Sequence, residues 1–196
     1  MQVKLVHDVA KGLNYLHWLP KQIIHNDVKA ANVLVTSNVV AKLCDFGLAS
    51  WTSYTTLLYT EHNAETQPRG RTLTHVCPEK MTDPDNNSPK ADVYSFGILM
   101  WEVFSEKIPF EGCTPDDIER QVKSGRRPGM EELRASLPRD LCELMEMCWH
   151  QDKDQRPDMS VVVNRLQHLA EDMTEPNMLT IPRCVRIHLA NIGYAK

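Results

Sequence analysis

The chain has 196 residues, 42% of them apolar, and 22 basic against 26 acidic side chains give a net charge of −4. That length can bury a sizeable core, and the near-balanced charge offers no basic footprint for nucleic acid. No apolar run approaches the roughly 18 to 20 residues of a membrane span, and the start, Met1-Gln2-Val3-Lys4, has charge where a secretion signal has an apolar block.

The six cysteines, Cys44, Cys77, Cys113, Cys142, Cys148 and Cys184, are scattered without a Cys-x-x-Cys pair. Neither a zinc site nor a disulfide framework is indicated, and reduced thiols in the cytoplasm are expected.

From Gln2 to His17, apolar residues at Val3, Val6, Val9, Ala10, Leu13 and Leu16 recur at intervals of three and four, which predicts one helix ended by Pro20. The run Ile24-His25-Asn26-Asp27-Val28-Lys29-Ala30-Ala31-Asn32 follows. Its Asp, Lys and Asn let one tight loop present a carboxylate, an ammonium and an amide carbonyl to the same small volume. Val33-Leu34-Val35 and Val39-Val40-Ala41-Lys42-Leu43, joined by Thr36-Ser37-Asn38, predict a short hairpin that returns Asp45, of Asp45-Phe46-Gly47, beside Asp27 and Asn32. Phosphoryl transfer needs such a set, because it asks for an oriented hydroxyl and for Mg²⁺ held by carboxylate and amide oxygens.

Residues 49–71 are rich in hydroxyls and show no period, which predicts a surface loop. Residues 91–104 are apolar on nearly every side and predict a helix at the centre of a domain. Asp92 at its start is placed to accept backbone N–H bonds. Thr114 to Gly125 has its ends written in: an N-cap Thr, Pro at the first position, early acids, late Lys, then Gly. Pro138 to Trp149 and Ser160 to Met173 predict two further helices, and Thr174 to Lys196 has no clear period.

His25-x-Asp27-x-Lys29-x-x-Asn32 followed by Asp45-Phe46-Gly47 resembles the catalytic loop and magnesium motif of protein kinases. Leu48-Ala49-Ser50, Asp92-Val93-Tyr94-Ser95-Phe96 and Lys123-Ser124-Gly125-Arg126-Arg127-Pro128 look like the receptor-interacting serine/threonine kinases, on the tyrosine-kinase-like branch. The resemblance implies ATP and Mg²⁺ as cofactors, with Asp27, Lys29, Asn32 and Thr72 catalytic, Asn32 and Asp45 on the metal, and Leu34 under the adenine with Lys29, Asn32 and Asp45 around the nucleotide. It gives His25, Phe46, Gly47, Glu79, Asp92 and Arg156 structural roles. Thr72 falls where serine/threonine kinases bond the catalytic Asp and Lys. Cys77-Pro78-Glu79 replaces the usual Ala-Pro-Glu, and Glu79 is expected to pair with Arg156, while Asp92 ties down the catalytic loop.

Two departures follow. Asn26 stands where most kinases have Arg, so a phosphorylated activation loop lacks its bidentate anchor and activity is expected not to require that phosphorylation. No glycine-rich phosphate loop, Val-Ala-Ile-Lys strand or partnering Glu helix precedes His25. The expected fold is therefore mainly α, a protein-kinase-like C-lobe helical bundle with a small catalytic-loop hairpin and the N-lobe absent, over residues 1–173, with 174–196 a tail. The expected function is a partial serine/threonine kinase domain in cytosolic signalling, weak or inactive alone, acting on protein substrates, with homotypic kinase contacts or signalling adaptors as partners. The alternative is a non-catalytic interaction or decoy module.

Overall fold

A computed structural model describes residues 1–51 and 73–172. The hydroxyl-rich residues 52–71, Thr72, and the segment 174–196 lie outside the described residues. The described residues are mostly helical. Helix α1 spans Gln2–Trp18 and buries Val3, Leu5, Val6, Val9, Ala10, Leu13 and Leu16. It stops where Leu19, the residue before Pro20, turns extended at φ −62° and ψ 147°, the conformation that a following proline favours.

Strand β1, Ile23–Ile24, leads into the loop that carries Asp27, and a single 3₁₀ turn, Ala30–Asn32, leads out of it. Strands β2, Val33–Val35, and β3, Ala41–Leu43, pair antiparallel with Val33 opposite Leu43. The expected hairpin is present, but β3 is shorter than the run from Val39 predicts. Val39 sits at φ 57°, and Val39 N donates to Thr36 O at 2.9 Å. The turn therefore claims a β-branched residue that propensity assigns to the strand. A second antiparallel pair joins β1 to β4, Ser50–Trp51.

Six helices follow among the described residues: α2 Pro78–Thr82, α3 Pro89–Ser105, α4 Pro115–Lys123, α5 Glu131–Ser136, α6 Arg139–Cys148 and α7 Met159–Asp172. Helix α3 begins on Pro89, whose fixed φ suits a first helical position, and is buried at twelve of its positions from Ala91 to Val103. It is the axis of the molecule. Helix α6 packs on it through Leu141, Cys142, Leu144, Met145 and Cys148, and α7 packs along α1. Helix α4 starts as its sequence predicts, with Thr114 Oγ1 accepting from Asp117 N at 3.2 Å. Helices α1 and α3 pack against each other and both against β1, and the loop after β1 is bonded to Asp92 in the first turn of the central helix. None of the described helices is long and apolar enough to cross a membrane.

Candidate active site

The loop from Ile24 to Asn32 is anchored from below by one buried carboxylate. Asp92 is 0% exposed. Its Oδ2 accepts from His25 N at 2.8 Å and its Oδ1 from Asn26 N at 2.9 Å, while His17 Nε2 at the end of α1 lies 2.9 Å from Oδ2. Two N–H groups in a left-handed turn, with Asn26 at φ 64°, find no partner in a regular element, so a side chain from α3 supplies one. His25 is itself buried and its Nε2 meets Cys44 O at 3.1 Å.

Above that anchor three predicted residues converge. Asp27 is 8% exposed. Its Oδ2 receives Lys29 Nζ at 2.7 Å and Asn32 Nδ2 at 2.7 Å, and the same amide nitrogen donates to Asp27 O at 2.8 Å. Both bonds to the carboxylate fall on one oxygen. The Asn32 amide is fixed by its two donations, which orient Oδ1 as its remaining acceptor.

Asp45 arrives by the hairpin. Cys44 N donates to Asn32 O at 3.0 Å, so the residue before Asp45 is bonded both to the loop's end and to His25. Asp45 adopts φ 61° and its Oδ1 accepts from Gly47 N at 3.2 Å. Phe46 stacks on His25 with ring centroids 4.9 Å apart. Leu34 lies on the partly exposed face of β2, opposite Lys42. Thr72 is outside the described residues.

Asn26, at the position where the resemblance leads one to expect Arg, is fully engaged. Its Nδ2 donates to Leu48 O at 3.0 Å and to Ser50 Oγ at 2.8 Å, and its Oδ1 accepts from the buried Lys80 Nζ. Sequence reasoning missed Lys80, His17 and Glu102. Glu102 is the one acid inside the apolar run from Val93 to Phe104, and that isolation was a usable signal. Its Oε2 accepts from Ala30 N at 3.2 Å.

Farther from the loop, Arg156 and Glu79 form a bidentate pair, Nη1 to Oε1 at 2.7 Å and Nη2 to Oε2 at 2.8 Å. Burial pushes the Cys77 thiol up to about 12, with the Glu79 charge adding to it, so Cys77 behaves as a small apolar residue.

The sequence pattern of the protein tyrosine and serine/threonine kinase family matches residues 1–166. The chain is 32% identical over 162 residues to receptor-interacting serine/threonine-protein kinase 1 of Homo sapiens, covering 79% of this chain and 24% of that protein. It is 35% identical over 167 residues to receptor-interacting serine/threonine-protein kinase 2 of Bos taurus, covering 80% and 30%. Over 176 residues it is 35% identical to serine/threonine-protein kinase STY46 of Arabidopsis thaliana, covering 88% and 28%. The chain thus spans about a quarter to a third of the length of these relatives.

Proposed function

The chain belongs to the protein tyrosine and serine/threonine kinase family, and from that premise we propose that it is the helical, substrate-side part of a serine/threonine kinase whose complete form transfers the γ-phosphoryl group of ATP to protein hydroxyls. The observation that carries the reading is the convergence of Lys29 and Asn32 on a single oxygen of Asp27. That bonding holds the carboxylate in place and leaves its other oxygen to orient an acceptor hydroxyl and take its proton. The matched relatives named as serine/threonine kinases support Ser and Thr as acceptors.

The donor chemistry of the site fits a magnesium nucleotide. Asn32 and Asp45 offer an amide carbonyl and a carboxylate, the hard oxygen ligands that Mg²⁺ takes. Bound there, Mg²⁺-ATP supplies the phosphoryl group and offsets its charge. This chain's own part is positional. Lys29 holds the Asp27 carboxylate in orientation, Asn32 braces it, and Asp92 fixes the backbone of the loop that carries both. Leu34, on the partly exposed face of β2, is the apolar surface for the adenine, and Thr72 is proposed to complete the contacts to Asp27 and Lys29. Protein substrates in cytosolic signalling are the proposed targets.

Calorimetric titration of Mg²⁺-ATP into this chain and into Asp45→Ala tests the reading. Saturable binding that the substitution abolishes supports a nucleotide site. No binding at millimolar nucleotide overturns it for this chain and leaves the helical lobe as an interaction module.

A further inference from the structure

His75 ends the turn Leu73–His75 that leads to Pro78 and Glu79, and it is 5% exposed. Its Nε2 is buried with no hydrogen-bond partner, although Glu102 Oε2 is 3.3 Å away. The two atoms are within ion-pair range but are not aligned as donor and acceptor. That same Oε2 accepts from Ala30 N in the catalytic loop at 3.2 Å. One carboxylate oxygen of α3 therefore lies between an imidazole on one segment and a backbone N–H on another.

The ring is held where it stands. Thr74 Oγ1 is 2.9 Å from Nδ1, and Ser95 Oγ donates to His75 O at 2.7 Å. In the neutral ring the Thr74 hydroxyl can donate to Nδ1. In the imidazolium both nitrogens carry protons, the hydroxyl must accept, and the added charge faces Glu102. Because the carboxylate is 17% exposed and the imidazole side chain 6%, solvent screens that change little.

We propose that His75 and Glu102 form a positioning pair, in which protonation of His75 draws Glu102 Oε2 toward the ring and loosens its bond to Ala30 N, so that the catalytic loop registers the protonation state of the segment before Pro78. This goes beyond the nucleotide reading and does not depend on it. Other charged groups surround the ring and are accounted for. The cleft beside it is lined by Asp27, Asp92, Lys80 and Cys77. Of these, Asp27 is paired with Lys29, Asp92 with His17, and Lys80 with Asn26. Helix α4, packed against the same turn, pairs Asp117 with Arg120 and Glu119 with Lys123.

A pH titration of the whole chain by two-dimensional amide NMR tests the pair without any activity assay. The Ala30 amide is expected to shift with pH in step with the His75 ring signals. In His75→Asn that transition is expected to vanish. In Glu102→Gln the ring should still titrate while the Ala30 response is lost. An Ala30 amide that stays still while His75 titrates in the unsubstituted chain overturns the proposal. So does an unchanged transition in His75→Asn, which would assign it to His25 or His17. The unsubstituted titration decides the matter even if a variant fails to fold.

Discussion

Arg156 and Glu79, 77 positions apart, meet through two parallel hydrogen bonds at 2.7 and 2.8 Å, with the guanidinium side chain 0% exposed. Arg156 also donates through Nε to His150 O and through Nη1 to Lys90 O, and its guanidinium carbon lies 5.0 Å from the Tyr94 ring centroid. One planar cation thus joins α2, α3 and the turn before α7.

Removing either partner strands the other in a desolvated site, which costs about 3–5 kcal/mol. Arg156→Ala is expected to exceed Glu79→Ala, because it also abandons three carbonyls, those of His150, Lys90 and Gln151. Arg156→Lys should restore little, since an ammonium cannot reproduce the fork. Urea denaturation checks this, with Lys107→Ala as comparator. The Lys107–Glu132 pair is half or more exposed on both sides, and its loss should change stability by under about 1 kcal/mol.

The same pair has a pH signature. Burial by itself would raise the Glu79 carboxyl, but its bonds to Arg156 outweigh burial and hold it below its ordinary value. A carboxyl that is more acidic folded than unfolded stabilises the fold above its unfolded pKa, and that contribution is lost as pH falls through the folded one. Unfolding midpoints should therefore drop below about pH 4.3, with a shallower slope in Glu79→Gln. Asp8, where burial is likewise outweighed by bonds to Lys11 and Lys4, adds a slope of the same sign, so Glu79→Gln should flatten the profile only in part.

Asp92→Ala removes the acceptor of two backbone N–H groups, His25 N and Asn26 N. Each buried donor left without a partner costs about 1–3 kcal/mol. Asp92→Asn keeps one acceptor oxygen and turns an NH₂ toward the other donor, so it should be only partly milder. Amide hydrogen exchange at His25 and Asn26 is expected to accelerate in both variants ahead of global unfolding.

How much of this was readable in the chain depends on where each residue's partner lies. Helix α3 was legible because no face of it is polar, and α4 because its caps are local. Helix α5 was not, since only Leu133 is buried along it and one residue gives no period. Strand β4 exists through its pairing with β1 rather than through its own propensity. The loop motif named Asp27, Lys29, Asn32 and Asp45 together, of which the first three bond to one another, but it did not name the supports beneath them. His17, Lys80 and Glu102 meet their partners at separations of 75, 54 and 72 residues. No local pattern encodes such distances.

Gly97 shows that the core of α3 is closed to a single methyl group. A Cβ there would stand 3.0 Å from Cys148 Cβ, 3.1 Å from Trp149 N and 3.2 Å from Trp149 Cβ. Two of those atoms are fixed close to the backbone and one belongs to it, so none can swing away. Gly97→Ala gains about 1 kcal/mol of helix propensity, while overpacking costs about 1–3 kcal/mol. A net loss of stability is expected, and an increase in the urea midpoint would show that α6 can move outward.

Asn26→Arg, the change that would restore the residue most kinases carry at this position, is expected to destabilise the fold instead of making it responsive to phosphorylation. The backbone there is left-handed at φ 64°, which Asn tolerates far better than Arg. The substitution also deletes the donations to Leu48 O and Ser50 Oγ and sets a guanidinium beside the buried Lys80 ammonium. Lost hydrogen bonds and like-charge repulsion together should lower stability by about 1–3 kcal/mol. If the repulsion is real, adding Lys80→Met to the Asn26→Arg variant should recover part of that loss, whereas Lys80→Met alone should be destabilising because it removes the partner of Asn26 Oδ1. A double-mutant cycle read by urea denaturation separates the two effects, and strict additivity would show that residue 26 and Lys80 do not interact.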